Sequence, residues 1–111
     1  MNKYRARRTR VGNHCFDSAR EAQRYNELLI LQRAGRIKNL ERQPEFVLLD
    51  SYENTAGDKI RGIKYRADFR YFDCDTGQIV VEDVKGIETQ VFKIKRKLLE
   101  ARYPIVLKLV K

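Results

Sequence analysis

Two aspartates and a lysine in the second half of the chain could act together chemically. Asp83 and Lys85 are two residues apart, so in a β-strand both side chains would project from one face. Asp68 precedes a turn that folds the chain back, which can bring the two aspartates to about 5 Å across neighbouring strands. Carboxylates that close need a cation, and hard oxygen ligands favour Mg²⁺ or Mn²⁺. The pattern predicts a divalent cation bound by Asp68, Asp83 and the carbonyl of Val84.

The loop between the strands decides whether the aspartates meet. Asp68 faces Asp83 only if paired positions add up to 151. That sum requires an even number of loop residues, either Asp75-Thr76 or Cys74 to Gly77. An odd loop or a bulge would shift this register and separate the carboxylates.

Lys85 would complete such a site. An ammonium group beside a metal-bound water can orient the water, hold it as hydroxide, or stabilise charge on a phosphorane-like transition state. This chemistry suits phosphodiester hydrolysis. The alternative is that Asp83 and Lys85 form only a surface ion pair, which would contribute under about 1 kcal/mol to stability. Glu82 competes with Asp83 as the second acid, but it would not share a strand face with Lys85, so Asp83 is preferred.

The net charge of the chain indicates which kind of molecule it binds. The chain has 24 Lys and Arg against 15 Asp and Glu, a net charge of +9. Such an excess is typical of proteins that bind nucleic acid, although charge that only maintains solubility is the alternative. The expected DNA contacts are basic residues at the two ends of the chain and one glutamine before a proline: Arg5, Arg7, Arg8, Gln43, Lys93, Lys95, Arg96 and Lys97. Gln43 could instead be only a loop residue, and Lys95 could only cover the core with its methylenes.

The length of 111 residues predicts one domain over residues 9–111, after a basic arm over residues 1–8. No apolar run reaches the roughly 18 residues of a membrane-spanning helix, and no secretory signal is expected. Cys15 and Cys74 are too few for a disulfide framework. These features favour a protein of the cytoplasm that does not bind membranes.

The predicted elements are a small hairpin around Gly12-Asn13, a helix from Ser18 to Ala34, a strand over 46–49, a loop over 51–58, strands over 63–72 and 78–85, a helix over 90–102 and a strand over 105–110. Glu21 is expected to face inward, unless it only closes a capping box with Ser18. The second helix is expected to bury an arc of Val91, Ile94, Leu98 and Leu99. An antiparallel meander followed by a helical crossover predicts an α/β fold, with helices on a mixed sheet.

The chain resembles a small phage-associated family of the PD-(D/E)XK nuclease superfamily, which includes restriction endonucleases and Holliday junction resolvases. The resemblance extends from Lys3 to Val110 and is carried by five segments: Phe16-Asp17-Ser18 with Glu21, Ala22 and Tyr25; Leu31-Gln32-Arg33-Ala34-Gly35; Gln43-Pro44; Tyr65-Arg66-Ala67-Asp68-Phe69; and Glu82-Asp83-Val84-Lys85-Gly86. Ala67 replaces the proline of the superfamily name, and Asp83 replaces its more frequent glutamate.

The resemblance implies a restriction endonuclease-like core and a role for four residues. Asp68 and Asp83 would be the two acids, Lys85 the catalytic lysine, and Glu21 a helix-borne acid at the metal site. It implies a Mg²⁺- or Mn²⁺-dependent DNA endonuclease, phage or prophage encoded, that cuts duplex or branched DNA as a homodimer in the bacterial host cytoplasm. The alternative is a non-catalytic nucleic-acid-binding module that retains the nuclease fold.

Overall fold

A computed structural model describes residues 9–11, 14–85 and 87–111. The expected basic arm, residues 1–8, therefore lies outside the described residues, as does the turn at Gly12-Asn13. The elements in chain order are β1 (Thr9–Val11), β2 (His14–Phe16), α1 (Ala19–Arg33), β3 (Ile37–Arg42), β4 (Glu45–Leu49), β5 (Tyr52–Glu53), β6 (Lys59–Ile60), β7 (Ile63–Arg66), β8 (Phe69–Asp73), β9 (Gln78–Val84), α2 (Gln90–Arg102) and β10 (Val106–Val110).

The central sheet is mixed and has the strand order β10-β9-β8-β3. β3 pairs antiparallel with β8, and β8 pairs antiparallel with β9. β10 runs parallel to β9 after the crossover through α2, as parallel neighbours require a long connection. The predicted α/β class with a mixed sheet is confirmed. Neither helix of the described segments is long and apolar enough to cross a membrane.

Both helices begin at a side-chain hydroxyl that caps the first turn. The Ser18 hydroxyl accepts the Glu21 backbone N–H at 3.1 Å, and the Thr89 hydroxyl accepts that of Phe92 at 3.1 Å. These bonds satisfy N–H groups that have no partner within the helix. Gly35 ends α1 with a φ of +75°, a left-handed conformation that glycine adopts without steric cost.

One predicted strand, 63–72, is wrong as a single element. The chain forms β7, is interrupted at Ala67-Asp68, and continues as β8. β7 pairs with β4 in the register in which β8 pairs with β3, since Glu45–Arg66 and Arg42–Phe69 both add up to 111. At the interruption, the Ala67 N–H donates to the Pro44 carbonyl at 3.1 Å and the Asp68 N–H donates to the Glu82 carbonyl at 3.0 Å. The β4–β7 ladder therefore continues the β3–β8 hairpin.

Two further assignments differ from the sequence prediction. Residues 37–42, expected only as a connection, form the edge strand β3. The expected loop over 51–58 contains β5, which pairs with β6 through Tyr52 and Ile60. The strand predicted over 46–49 is present as β4, but it lies outside the central sheet. The first strand of the antiparallel meander is therefore β3.

Two apolar clusters pack on opposite faces of the central sheet. Val80 of β9 packs with Ala22 and Leu28 of α1. Val81, the next residue, packs with Phe92 and Leu99 of α2. Because successive side chains of a strand alternate between faces, α1 and α2 lie on opposite sides of the sheet. β9 is consequently buried on both faces.

The expected buried arc of α2 is wrong for three of its four members. Leu99 is fully buried, but Val91 and Ile94 are 61% and 60% exposed, and Leu98 is 41% exposed. The helix turns Phe92 inward, and this ring is only 5% exposed. Val91, Ile94 and Leu98 form one apolar stripe and Phe92 and Leu99 another, so helical periodicity alone does not decide between them. Burying the large aromatic ring against Tyr65 and Val81 favours the second stripe.

The buried and exposed stripes of α2 predict different losses of stability when a side chain is replaced by alanine. Phe92→Ala should lower the free energy of unfolding by about 3–5 kcal/mol because it opens a cavity in the core. The matched change Ile94→Ala, on the exposed stripe, should stay within about 0.5 kcal/mol. Urea titration followed by circular dichroism measures both. A larger loss for Ile94→Ala than for Phe92→Ala would contradict this orientation of α2.

Candidate functional site

The register of β8 and β9 brings the two aspartates together. The paired residues run from Phe69 and Glu82 to Asp73 and Gln78, so every pair adds up to 151. The loop is the even one, residues 74–77, and its last residue, Gly77, has a φ of +72°. The register expected from the sequence is confirmed. The regular ladder ends at the Phe69–Glu82 pair, and beyond it the Asp68 N–H donates to the Glu82 carbonyl at 3.0 Å, which places Asp68 beside the Glu82-Asp83 segment of β9.

A backbone hydrogen bond fixes the carboxylate of Asp68. Its Oδ2 accepts the Val84 N–H at 2.7 Å, which ties the acid to the end of the neighbouring strand β9. Burial raises the pKa of Asp68 above its ordinary value, while this hydrogen bond and the Lys85 ammonium group oppose the rise. The carboxylate is therefore held in place beside Asp83 at the end of the sheet.

Asp83 is the more deeply buried of the two, with 3% of its surface exposed. Its Oδ2 is buried without a hydrogen-bond partner among the described residues. Burial raises the pKa of Asp83 to about 6, although Lys85 and a backbone hydrogen bond from Asp68 lower it. A buried carboxylate oxygen without a donor is costly. A cation bound at this position would remove that cost.

Glu21 faces inward from the first turn of α1 and is 6% exposed. Only half of the capping box forms, because no bond from the Ser18 N–H to the Glu21 carboxylate joins these two described residues. Burial is the largest cause that raises the pKa of Glu21 to about 7, followed by the charges of Asp68 and Asp17, and Asp83 adds a smaller effect. Glu21 therefore belongs electrostatically to the same acidic cluster.

Glu82 is already engaged on the opposite face of β9. It is completely buried, and its two oxygens accept from the Arg24 guanidinium at 2.7 Å each. The Tyr71 hydroxyl donates a third bond to Glu82. This arrangement supports Asp83, rather than Glu82, as the available second acid.

Lys85 follows the end of β9 and lies on the face of Asp83. Its ammonium group is 4.9 Å from the centre of the Phe92 ring. Its charge lowers the pKa of both Asp68 and Asp83. Its backbone N–H donates to the Val110 carbonyl at 2.9 Å, so β10 helps to position it. The lysine and both aspartates thus share one end of the sheet.

Among the described residues, no group of three or more His, Cys, Asp or Glu side chains is arranged to hold a metal ion. Mg²⁺, however, is commonly bound by one or two carboxylates together with water. Asp68 and Asp83 supply two carboxylates, and the Val84 carbonyl is the third expected ligand. The unpartnered Oδ2 of Asp83 is the observation that a cation would explain. The residues therefore fit a divalent ion with a partly aqueous shell.

Gln43 lies next to the acidic cluster through its backbone. Its N–H donates to the Asp68 carbonyl at 2.9 Å. Its φ of +52° is left-handed, a conformation that costs a non-glycine residue roughly 1–2 kcal/mol. The exposed Gln43 side chain starts from this fixed backbone position beside Asp68.

The other expected DNA contacts are distributed unevenly. Lys93 and Lys97 are exposed on α2, whereas Lys95 is half-buried. Arg96 is used within the protein, since its guanidinium donates to the Leu107 carbonyl at 3.3 Å and approaches Glu100 at 3.5 Å. Arg5, Arg7 and Arg8 lie outside the described residues.

The sequence analysis missed two charged neighbours of the site. Asp17 raises and Arg42 lowers the pKa of both Glu21 and Asp68. Arg42 is the last residue of β3. Its position immediately before Gln43, an expected DNA contact, was the one sequence signal that could have indicated it. An apolar cavity of about 430 Å³ lies elsewhere, lined by residues including Phe46, Phe72 and Ile105, and contains none of the acids in this cluster.

Glu21 should make the stability of the metal-free protein depend on pH. Its raised pKa means that the folded state keeps a proton that the unfolded state loses as pH rises from about 4.5 to about 7. This group therefore lowers stability progressively across that window. Glu21→Gln should become more stable relative to the wild type as pH increases from 5 to 7.5. Urea unfolding in EDTA measures the difference, with the exposed Glu53→Gln as the control; a difference that does not change with pH would contradict the assignment.

Comparison with protein families gives one match, over residues 1–110, to a family described as "Protein of unknown function (DUF1064)". No curated protein and no solved structure matches the chain. Since the family match covers nearly every residue described above, the protein belongs to the DUF1064 family.

Proposed function

We propose that this protein is a divalent-metal-dependent DNA endonuclease of the PD-(D/E)XK type. The observation that carries the proposal is the proximity of Asp68 to Asp83 and Val84 at one end of the sheet, with Lys85 directly after them. Acids in this position are costly in the absence of a cation, as the raised pKa of Asp83 indicates. Their placement in a chain of net charge +9 suits a phosphate-bearing substrate.

The order of the elements supports a restriction endonuclease-like core. Helix α1 precedes the antiparallel strands β3, β8 and β9, and α2 then leads to β10, which is parallel to β9. This is the order that the superfamily resemblance implies. The β4–β7 ladder extends the hairpin formed by the first and second strands of that core, β3 and β8.

In the proposed reaction, Asp68, Asp83 and the Val84 carbonyl hold Mg²⁺ or Mn²⁺. When bound, the ion supplies Lewis acidity and an acidified water for attack on phosphorus. Lys85 contributes a positive charge that orients the nucleophile and stabilises the negative charge that develops on the phosphoryl oxygens. Glu21, with a pKa of about 7, either ligates the ion or hydrogen-bonds to its water. Lys93 and Lys97 are exposed for contacts with DNA phosphates.

The metal assignment predicts that Asp83→Asn weakens Mn²⁺ binding strongly or abolishes it, because one of the two paired carboxylates is lost. Isothermal titration calorimetry on the purified chain measures the affinity. Glu53→Gln, which removes an exposed carboxylate from β5, should bind Mn²⁺ as the wild type does. Equal affinities for Asp83→Asn and the wild type would exclude Asp83 as a ligand.

The catalytic assignment predicts that Lys85→Ala lowers the cleavage rate by about 10²–10³-fold, the loss expected for one preorganised electrostatic group, with little change in DNA affinity. Reversing the charges of Lys93 and Lys97 should instead weaken binding and reduce its dependence on salt. Lys59→Ala, at an exposed position of β6, is the control. Nicking assays with Mg²⁺ and Mn²⁺ on duplex, single-stranded and four-way-junction DNA measure the rates, and equilibrium binding measures the affinities.

The alternative function is a nucleic-acid-binding module without activity. It predicts the losses of affinity but has no cleavage to lose. A wild-type protein that binds DNA, yet cuts none of these substrates with either metal, would favour the binding module.

A further inference from the structure

Beside the acidic cluster is a cavity of about 250 Å³, between β7, the end of β9 and the first turns of α2. Three of its lining residues are cationic: Arg66, Lys85 and Lys95. No Asp or Glu is among the described residues that line it. The cavity is therefore a positively charged recess, and it shares Lys85 with the proposed metal site.

The three cations are not neutralised within the described part of the chain. None of Arg66, Lys85 and Lys95 takes part in an ion pair there. Lys85 contacts the face of the Phe92 ring, and Asp68 and Asp83 are close enough to influence it electrostatically. By contrast, Arg24 on α1 and Arg96 on α2 have carboxylate partners. Like charges gathered in one recess repel each other, and an anion bound among them would remove that repulsion.

Two further features of the same walls favour an anion. Thr89, the N-cap of α2, lines the cavity, and the first turn of this 13-residue helix contains no acidic residue. The positive end of the helix dipole therefore adds to the charge of the side chains. Tyr65 also lines the cavity, and its buried hydroxyl has no hydrogen-bond partner among the described residues.

We infer that this cavity is a phosphate-binding subsite in which Arg66 and Lys95 hold a phosphate group next to Lys85. A guanidinium fork, two ammonium groups and a helix N-terminus form a donor set suited to the oxygens of a phosphate group. The inference deepens the proposed function and rests on it for the source of the phosphate. Because Lys85 contributes to both sites, Arg66 and Lys95 are positioning residues that place a DNA strand relative to the carboxylates.

Binding of inorganic phosphate to the full chain in EDTA tests the subsite without metal or cleavage. The amide signals of Arg66, Thr89 and Lys95 should shift saturably in nitrogen–proton correlation spectra. Arg66→Gln and Lys95→Gln should each weaken the binding by about tenfold or more, the effect of losing one charge-assisted hydrogen bond. Lys59→Gln is the matched control because it removes a positive charge at an exposed position outside the cavity.

Two results would overturn the inference. One is the absence of saturable shifts at Arg66 and Thr89. The other is an equal loss of affinity in Lys59→Gln and Lys95→Gln, which would reduce the effect to the overall charge of the chain. Correlation spectra of each variant in the absence of phosphate verify that it is folded before its affinity is compared.

Short oligodeoxynucleotides identify the source of the phosphate. A strand with hydroxyl groups at both ends should displace inorganic phosphate if the subsite takes a backbone phosphodiester. Displacement only by a 5′- or 3′-phosphorylated strand would assign the subsite to a terminal phosphate, and no displacement by any strand would contradict a role in DNA binding. DNA cleavage without phosphate binding would contradict the subsite but not the proposed nuclease activity. Phosphate binding without cleavage would contradict the nuclease activity but not the subsite.

Discussion

The ion pair between Arg24 and Glu82 orients the strand on which the candidate site depends. Glu82 is completely buried in the middle layer, and both of its oxygens are bonded to the guanidinium of Arg24 on α1. Removing one partner of such a pair leaves an uncompensated buried charge, at a cost of about 3–5 kcal/mol. Because side chains alternate along a strand, holding Glu82 toward α1 turns Asp83 and Lys85 toward the other face. The pair therefore stabilises the orientation that a one-residue slip of β9 would reverse.

The acidic cluster of Glu21, Asp68 and Asp83 is buried within an otherwise basic chain. Burial raises the pKa of Glu21, Asp68 and Asp83, and the first two also repel each other. The rise in the pKa of Asp68 is opposed by the positive charges of Lys85 and Arg42 and by the hydrogen bond from the Val84 N–H. The scaffold holds acids that resist ionisation next to cations that favour it. Such an opposition is typical of sites that bind a charged ligand.

Local interactions explain what the sequence could predict. Ser18 and Thr89 are polar residues that cap helices with their own side chains, and the β8–β9 register follows from the length of one short loop. The placement of Asp83 and Glu82 on opposite faces of β9 also required only strand periodicity. These features depend on neighbours along the chain, so one sequence was sufficient to locate Asp68, Asp83 and Lys85 at one end of the sheet.

The errors concern contacts between distant segments. β3 is a polar edge strand with a bulge and a left-handed Asn39, so its alternation is weak. The face of α2 depends on which apolar stripe meets Tyr65 and Val81. Arg24 lies 58 residues before the acid that it binds, and no periodicity connects them. Tertiary packing, rather than local propensity, decides each of these cases.

The β4–β7 ladder leaves and rejoins the core at a single place. Pro44 bonds to Ala67, and Gln43 bonds to Asp68, so β4 and β7 continue from the central sheet side by side. Phe46 and Tyr65 of this ladder are buried with Phe92 of α2, and the β5–β6 tip lies between β4 and β7 in the chain. Tyr52, Glu53 and Lys59 of the tip are exposed, so a change in its length or sequence should cost little free energy of unfolding. Such changes would alter the contacts that the tip makes with other molecules without moving Asp68 and Asp83.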